Sequence, residues 1–598
     1  MKRVCLLSLN DRKGFLDGYV RQLINEMKKV SVVYTVCRAE YESEAIPLPK
    51  EQIIRCPHCY TEATALQYAL LYAIGKERIN EFDELLLVND SFFGPFVSVD
   101  SLLRQAEELN GNGDFWGLVA KAEDRRTVKF CRYKYQPWYL HTSFLVIRQR
   151  LLHADSFWAY WEELKKYTRE KSAVQGHDYA FSKYFQDEGF EAFSLYEYGN
   201  GHKETSLVFD SLSLLRQGLP ILPKTVFTVA YDRVLEHNLS SQCADCIRFL
   251  REYTDYDLNL VYDAIIRQTD PYQLSCTLNA NYVFSEMQPV GKTLHGSVRA
   301  AVVVFIGCEE QIKLRLTALR SLPEWIEVFI TTNAEVYSSG IAQLLESDYK
   351  TLKNRTVILT SNGHGRDIAS FLVEARPYLH HYDYLGFVPG SSQGDATEDE
   401  YWLKSLVGCG GYVEAVLSAF ESNPRLGLLC PPRLEHGKHF SSIVRGWTGT
   451  LTAYDELCQI INIPNSIKSS SPPMLTNFAF WCRCEALEPL FSHEWAHEVF
   501  PAEPIGRMGT IYHAIARAAA YICKEMGFYS GIVCPTDVAS IYINNRGFYL
   551  TTLIPVLSRF VRLRGSLSNG KRQLVVSFRR SNQARLLMLC RFRRLHPS

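Results

Sequence analysis

The chain has 598 residues, and 65 Lys and Arg balance 65 Asp and Glu, so the formal net charge is zero. That balance excludes a uniformly basic nucleic-acid binder, and 47% apolar with 22% charged residues excludes a disordered chain. The zero hides an asymmetry: residues 538–598 hold twelve Lys and Arg and no Asp or Glu, which leaves the first 537 residues at a net −12.

At about 150 residues per domain, the length predicts two to four domains. The apolar run 4–9 is too brief for a signal peptide. No run of about 18 apolar residues predicts a membrane span. Without a secretory signal, the 17 cysteines are expected to be mostly reduced thiols of the cytosol.

Along the chain, residues 17–29 predict a helix with Tyr19, Val20, Leu23, Ile24 and Met27 on one face. Cys56-Pro57-His58-Cys59 has the spacing of a redox pair ahead of a helix at 62–74, although reduced structural thiols are the expected state. Cys243 and Cys246 form a second pair. Residues 85–88 predict a buried strand whose carboxyl end carries Asn89-Asp90-Ser91. In an open α/β sheet that end is where ligands bind, so Asp90 is a candidate contact for a divalent cation or a ribose hydroxyl. Its alternative is a turn-capping residue. Strands follow at 114–118 and 139–147. Asp178 is expected at the start of a helix that closes with Gly189-Phe190. A carboxylate there suits a general base toward a sugar hydroxyl, or a charge that answers the helix dipole.

The same order of features returns in the second half. Tyr382-Asp383-Tyr384-Leu385 answers Phe82-Asp83-Glu84-Leu85. Strands at 426–430 and 477–481 answer 114–118 and 139–147, and a second helix closes with Gly527-Phe528. Two copies of one βαβ-type plan with mostly parallel sheets is the economical reading. Residues 211–285 read as a connector, helical over 253–267. His493-Glu494-Trp495-Ala496-His497 fits a zinc-peptidase pattern if helical, with Glu525 as a third ligand. The basic tail, with Leu, Phe and Val between its charges, reads as an amphipathic segment for a membrane surface.

Several of these motifs together resemble the rhamnan-synthesis F family of bacterial polysaccharide glycosyltransferases. They are Asn89-Asp90-Ser91-Phe92-Phe93-Gly94-Pro95, Asp114-Phe115-Trp116-Gly117 and His141-Thr142-Ser143-Phe144. The second half adds Gly365-Arg366-Asp367-Ile368, Phe480-Trp481-Cys482-Arg483 and Gly509-Thr510-Ile511-Tyr512-His513. The resemblance runs over residues 1–555. It implies an α/β chain of two tandem GT-A-like, Rossmann-like domains, 1–210 and 291–555. A partly helical connector (211–290) joins them, and a basic tail (556–598) follows.

The resemblance further implies transfer of a sugar, rhamnose by family analogy, from a nucleotide-sugar such as dTDP-rhamnose to a lipid-linked glycan acceptor. It places the protein in the cytoplasm, peripheral on the inner face of the cell membrane, with no nucleic-acid partner. Asn89, Asp90, Ser91, Asp114, Trp116, His141 and Ser143 match the family's donor-side positions, and Asp178 that of its base in an inverting transfer. Asp90 is the expected contact of a divalent cation, Mg or Mn. Arg366, Asp367 and His513 are the second-half candidates.

The departures are specific. The family's Arg-Glu-Asn-x-Gly-Phe-Asp run is absent after Arg55. Phe387-Val388-Pro389-Gly390-Ser391-Ser392-Gln393 stands where a His-and-Lys signature is expected, and Met508 replaces an Asp. The second half is therefore expected to bind or pack rather than turn over. A non-catalytic glycan-binding or scaffold protein is the alternative for the whole chain, with zinc peptidase and thiol oxidoreductase further alternatives.

Overall fold

The apolar runs become the strands of two mostly parallel sheets, one in each half of the chain. The computed structural model describes residues 1–565 except 12, 39, 58–59, 200–205, 232–233, 235–241, 286–295, 297, 362–363, 392–394, 436–445, 468–472, 476 and 507–508. The chain forms two compact units, Met1–Thr269 with Thr277–Asn279, and Asp270–Cys276 with Ala280–Ser598. Residues 211–269, read above as a connector, therefore belong to the first unit. Their helices are Leu207–Arg216, Gln242–Tyr253 and Leu258–Gln268, so the helix expected over 253–267 begins five residues later, at Leu258. Arg267 ties the last of them to the loop after the first strand, donating to Asp17 at 2.7 Å and Asp11 at 2.8 Å.

In the first unit the strands are β1 (Arg3–Ser8), β2 (Val32–Cys37), β3 (Ile53–Arg55), β4 (Glu84–Asn89), β5 (Phe92–Phe93), β6 (Phe115–Lys121), β7 (Tyr139–Leu140), β8 (Phe144–Arg148), β9 (Ala192–Tyr198) and β10 (Leu222–Pro223). The sheet order is β3-β2-β1-β4-β8-β6-β7, with β9 also beside β6, and β5 pairs with β10. The strand expected over 139–147 is thus two, β7 and β8, broken at His141-Thr142-Ser143. β1 and β4 are buried along nearly their whole length, as central strands of a mostly parallel sheet are. The helix Gly18–Lys28 buries the five residues expected of it. The core runs from Val4, Leu6, Leu85 and Leu87 through Phe115 and Ile147 to Trp158, Phe181 and Phe185.

The second unit repeats the plan with β11 (Asn281–Phe284), β12 (Ala300–Ile306), β13 (Glu327–Thr332), β14 (Thr356–Thr360), β15 (Tyr384–Val388), β16 (Leu426–Cys430), β17 (Phe480–Arg483) and β18 (Tyr529–Pro535). Its order from the far edge, β14-β13-β12-β15-β17-β16-β18, matches β3-β2-β1-β4-β8-β6-β9 strand for strand. In each sheet the same strand, β8 or β17, runs antiparallel between two others. Small details repeat as well. The Asp83 carboxylate accepts from the Lys2 backbone N–H at 2.6 Å, and Asp383 does the same for Arg299 at 2.7 Å. Each closing helix stops at a left-handed glycine, Gly189 with φ +87° and Gly527 with φ +81°, where a side chain would be strained.

The zinc-peptidase pattern is overturned here, and so is the reduced state expected of Cys56. His493-Glu494-Trp495-Ala496-His497 is not helical: the preceding helix ends at Ser492, and a short 3₁₀ turn begins at His497. The two imidazoles therefore do not share a helix face. His497 Nε2 bonds Glu374 at 2.7 Å, and His493 packs on Trp495. Among the described residues no three His, Cys, Asp or Glu side chains form a metal-binding group. Cys56 is disulfide-bonded rather than reduced, while His58 and Cys59 lie outside the described residues. Cys243 and Cys246 are buried thiols, as expected.

The basic tail begins within a helix, Thr536–Gly565, and the rest of it, 566–598, lies outside the described residues. Among the described residues no helix is long and apolar enough to cross a membrane.

Candidate active site

β4 ends at Asn89, level with Ser8 at the end of β1. The chain turns there, and the three strand-end residues each find polar partners. Asn89 is buried, and its Oδ1 accepts from the Ser91 backbone at 3.0 Å and the Ser91 hydroxyl at 2.5 Å. Asp90 is 3% exposed and accepts from the Asn10 backbone at 3.1 Å and the Asn10 amide at 3.2 Å. Its carbonyl accepts from the Tyr19 hydroxyl at 2.6 Å, and Tyr19 in turn accepts from Lys224 Nζ at 2.9 Å. Burial raises the Asp90 pKa, while Lys224 and the Asn10 bonds pull against that rise. Asp90 does not cap the next helix; Ser98 does, accepting from the Ser101 N–H.

The antiparallel β8 brings its start to the same edge. Ser143 O accepts from the Asn89 N–H at 3.2 Å. His141 Nδ1 lies 3.1 Å from Ser143 Oγ and accepts from the Ser143 N–H at 3.4 Å. Burial, and then the Lys121 charge, push the His141 pKa down to about 4, so its ring is neutral at physiological pH. With Nδ1 accepting, the proton sits on Nε2.

Asp178 reaches this edge by a route other than the expected one. It is not at a helix start. The helical run begins at Glu170, widens into a π-type stretch at Val174–Asp178 and continues as Tyr179–Asp187. Asp178 therefore gets no help from a helix N-terminus, and the dipole reading falls. A π-widening is a common device for aiming a side chain at a functional site. Burial, and then the Glu170 charge, push its pKa up to about 8, against a hydrogen bond from Thr142 that favours the ionised form. Lys121 at the end of β6 completes the edge, its ammonium 5.9 Å from the Tyr198 ring centroid.

Asp114 and Trp116 do not join this cluster. Phe115 pairs with Ile147, which pairs with Leu85, so the start of β6 is level with the start of β4. That is the opposite end of the sheet. Asp114 accepts there from Arg150 at 2.5 Å and from the Glu191 N–H at 2.8 Å. Trp116 is 1% exposed and stacks on Phe193. Both hold the fold together.

One residue at the edge escaped the sequence reading. Thr61 caps the helix Glu62–Tyr68, and Glu62 Oε2 accepts from Asn89 Nδ2 at 2.6 Å. In the second unit Asp367 also reaches its strand edge, accepting from the Gly390 N–H at 2.8 Å and the Tyr512 hydroxyl at 2.8 Å. The two acids are not at matching positions: Glu62 stands 21 residues before Asp83 and Asp367 stands 16 before Asp383. A lone acid after a capping Thr, seven residues past Arg55, was the available signal.

The second unit keeps the scaffold but not the acids. Seven residues past Asp83 is Asp90, and seven past Asp383 is Gly390. Eleven before Gly189 is Asp178, and eleven before Gly527 is Ala516. Arg366, with φ +46°, donates to Ser391 O at 3.1 Å at that edge. His513 Nδ1 lies 2.8 Å from Thr510 Oγ1, and burial, then Arg517, push its pKa down to about 4. Arg366, Asp367 and His513 are thus brought to one region. Gln393 and Met508 lie outside the described residues.

Both Asp90 oxygens, the expected cation contact, already accept from Asn10, and among the described residues no three His, Cys, Asp or Glu side chains are grouped to hold a metal ion.

These features define a doubled α/β chain with acids gathered at the carboxyl edge of its first sheet. The family model of Rhamnan synthesis protein F (RgpF) matches residues 51–528, and the chain belongs to that family, whose members serve polysaccharide synthesis. No curated protein matches it. Two solved structures of the glycosyltransferase GlyE from Streptococcus pneumoniae TIGR4 are similar. The apo form is 11% identical, with 67% of this chain and 88% of that chain covered and a TM-score of 0.18. The other is 12% identical, with 60% and 80% covered and a TM-score of 0.19. Likeness at such scores decides nothing about chemistry.

Proposed function

We propose that the first unit transfers a sugar from a nucleotide-sugar to a glycan acceptor, with Asp178 as general base and Asn89, Asp90 and Ser91 on the donor side. The observation that carries this reading is the Asp178 carboxyl, set by burial to about 8 beside the strand end. A base works best when its proton affinity lies near the working pH. Asp178 takes the proton of an acceptor hydroxyl, that oxygen bonds to the anomeric carbon, and the nucleoside diphosphate leaves from the opposite face. One carboxylate is enough, and the anomeric configuration inverts. His141, neutral and with its proton on Nε2, supplies a hydrogen-bond donor.

Family membership favours rhamnose as the sugar, a dTDP-rhamnose donor and a lipid-linked acceptor. The second unit is read as a binding partner without turnover, since Gly390 and Ala516 stand where Asp90 and Asp178 would act. A membrane-surface location fits a lipid-linked acceptor and the twelve basic residues of the tail. The test is a donor screen with a lipid-linked acceptor. Wild type should transfer and Asp178→Asn should not. Transfer that survives Asp178→Asn and Asp90→Ala but is lost in Asp367→Ala would assign turnover to the second unit.

A further inference from the structure

Glu62 is an acid at the first unit's strand edge to which the proposed transfer gives no task, and it is bonded directly to the donor-side Asn89. Its Oε2 holds the Asn89 amide at 2.6 Å. Its Oε1 is closed to solvent and has no hydrogen-bond partner among the described residues. The charged groups that act on it most strongly are Asp178, Glu170 and Asp90, all acidic. These groups form one neighbourhood. Asn89 bonds Ser143 O through its N–H, and the adjacent Thr142 bonds Asp178. A buried carboxylate with one donor, no ion pair among the described residues and acidic neighbours is pushed toward its protonated form. Burial first, and Asp178 second, raise the Glu62 pKa well above the ordinary carboxyl value.

We propose that Glu62 is a positioning residue that works as a neutral carboxylic acid. Oε2 is the carbonyl oxygen that fixes the Asn89 amide, Oε1 carries the proton, and Asn89 is thereby presented to the nucleotide-sugar. Keeping Glu62 uncharged also keeps a further negative charge away from the donor's diphosphate. Asn89 Oδ1 is already turned to Ser91, so the amide has one orientation, with Nδ2 toward Glu62. The second unit differs in kind. There Asp367 accepts from the Gly390 N–H, the Tyr512 hydroxyl and the Ile368 N–H, so both of its oxygens have donors.

The part of this role that concerns donor binding rests on the reading of the first unit as the transferring one; the protonation state does not. The test uses the full chain with Glu62→Gln and Glu62→Ala. It reads thermal unfolding from pH 4.5 to 9 and binding of dTDP-rhamnose by calorimetry at pH 7. Glutamine reproduces a neutral acid: one oxygen accepts from Asn89, and an N–H replaces the proton. Its Tm should match wild type near pH 4.5 and exceed it by a margin that widens up to pH 9, because only the wild type must retain a proton to fold. Glu62→Ala should weaken binding about tenfold, the loss of one positioning hydrogen bond, and Glu62→Gln should recover most of it. A Tm difference that does not change with pH overturns the proposal. So does a Glu62→Gln chain that fails to fold or binds no better than Glu62→Ala. If wild type binds no nucleotide-sugar, the reading of the first unit fails, and the unfolding series alone decides the charge state.

Discussion

Asp178→Asn should cost the protein its activity and make it more stable, and the gain should depend on pH. The folded chain holds the Asp178 proton up to about pH 8, whereas an unfolded aspartate releases it near 3.8. A raised carboxyl pKa means that the unfolded state sheds the proton first, so wild-type stability falls as pH climbs from about 4 to about 8 and levels off above. The interval is about four pH units, and at about 1.4 kcal/mol per unit the ceiling is about 6 kcal/mol. Asparagine keeps the shape and a partner for Thr142 but still buries a polar group, so about 2 kcal/mol at pH 8 is the expected gain. For a unit of this size that corresponds to a Tm about 4–8 °C higher. The assay is calorimetric unfolding of both chains at pH 4, 6, 8 and 9, with sugar transfer measured on the same preparations. Equal Tm values at pH 4 and a gap that opens toward pH 8 support a buried acid that keeps its proton. A gap constant with pH, or a mutant less stable at pH 8 than at pH 4 relative to wild type, would refute the assignment. Transfer by the mutant would refute the role as base.

If Asp178 is the base, kcat/KM for transfer should rise with pH along a limb centred near its value of about 8. His141, with a pKa of about 4, should add no second limb between pH 5 and 8, so His141→Gln should leave the shape of that profile unchanged. In the second unit Arg315 is fully buried against Asp399, the Phe305 carbonyl and the Pro389 carbonyl. Asp399→Ala strands the guanidinium and should destabilise that unit by about 3–5 kcal/mol in denaturant titration; a loss under 1 kcal/mol would mean that the pair is not closed to water. Asp114→Ala should lower stability through the lost Arg150 and Glu191 contacts but leave the KM for the donor unchanged. A chain cut after residue 555 should no longer sediment with vesicles rich in anionic lipid, and sedimentation equal to wild type would remove the tail from the membrane proposal.

Much of the architecture was legible because period and order are local signals. Alternating apolar runs, the Asp83 and Asp383 pair and the Gly189 and Gly527 stops announced a duplication that the two strand orders repeat. The strand-end residues Asn89, Asp90 and Ser91 were equally legible, since a buried run that ends in polar residues marks a carboxyl edge. What failed was direction and depth. Asp114 and Trp116 belong to a motif as conspicuous as Asn89-Asp90-Ser91, yet they enter β6 instead of leaving it, and only the register with β8 shows which end of the sheet they occupy. His493 and His497 have helical spacing without a helix, because the chain leaves helical geometry after Ser492. Asp178 was expected at a helix start and lies instead in a π-widened turn, since no local pattern distinguishes the two.

The two units then show how one scaffold separates chemistry from architecture. Strand order, the antiparallel insertion and the closing glycine are kept in both, because each is required to bury the apolar faces of its sheet. The carboxyl edge carries no such requirement. At that edge Asp90 is answered by Gly390 and Asp178 by Ala516, so these acids have changed while the strands beneath them have not. In the first unit four acids, Glu62, Asp90, Glu170 and Asp178, share one region, and burial raises the pKa of three of them, Glu62, Asp90 and Asp178. Folding alone gives no reason to collect such groups, because each proton retained at neutral pH lowers stability. An arrangement that opposes stability in one copy, and is dismantled in the other, is the physical argument for placing turnover in the first unit.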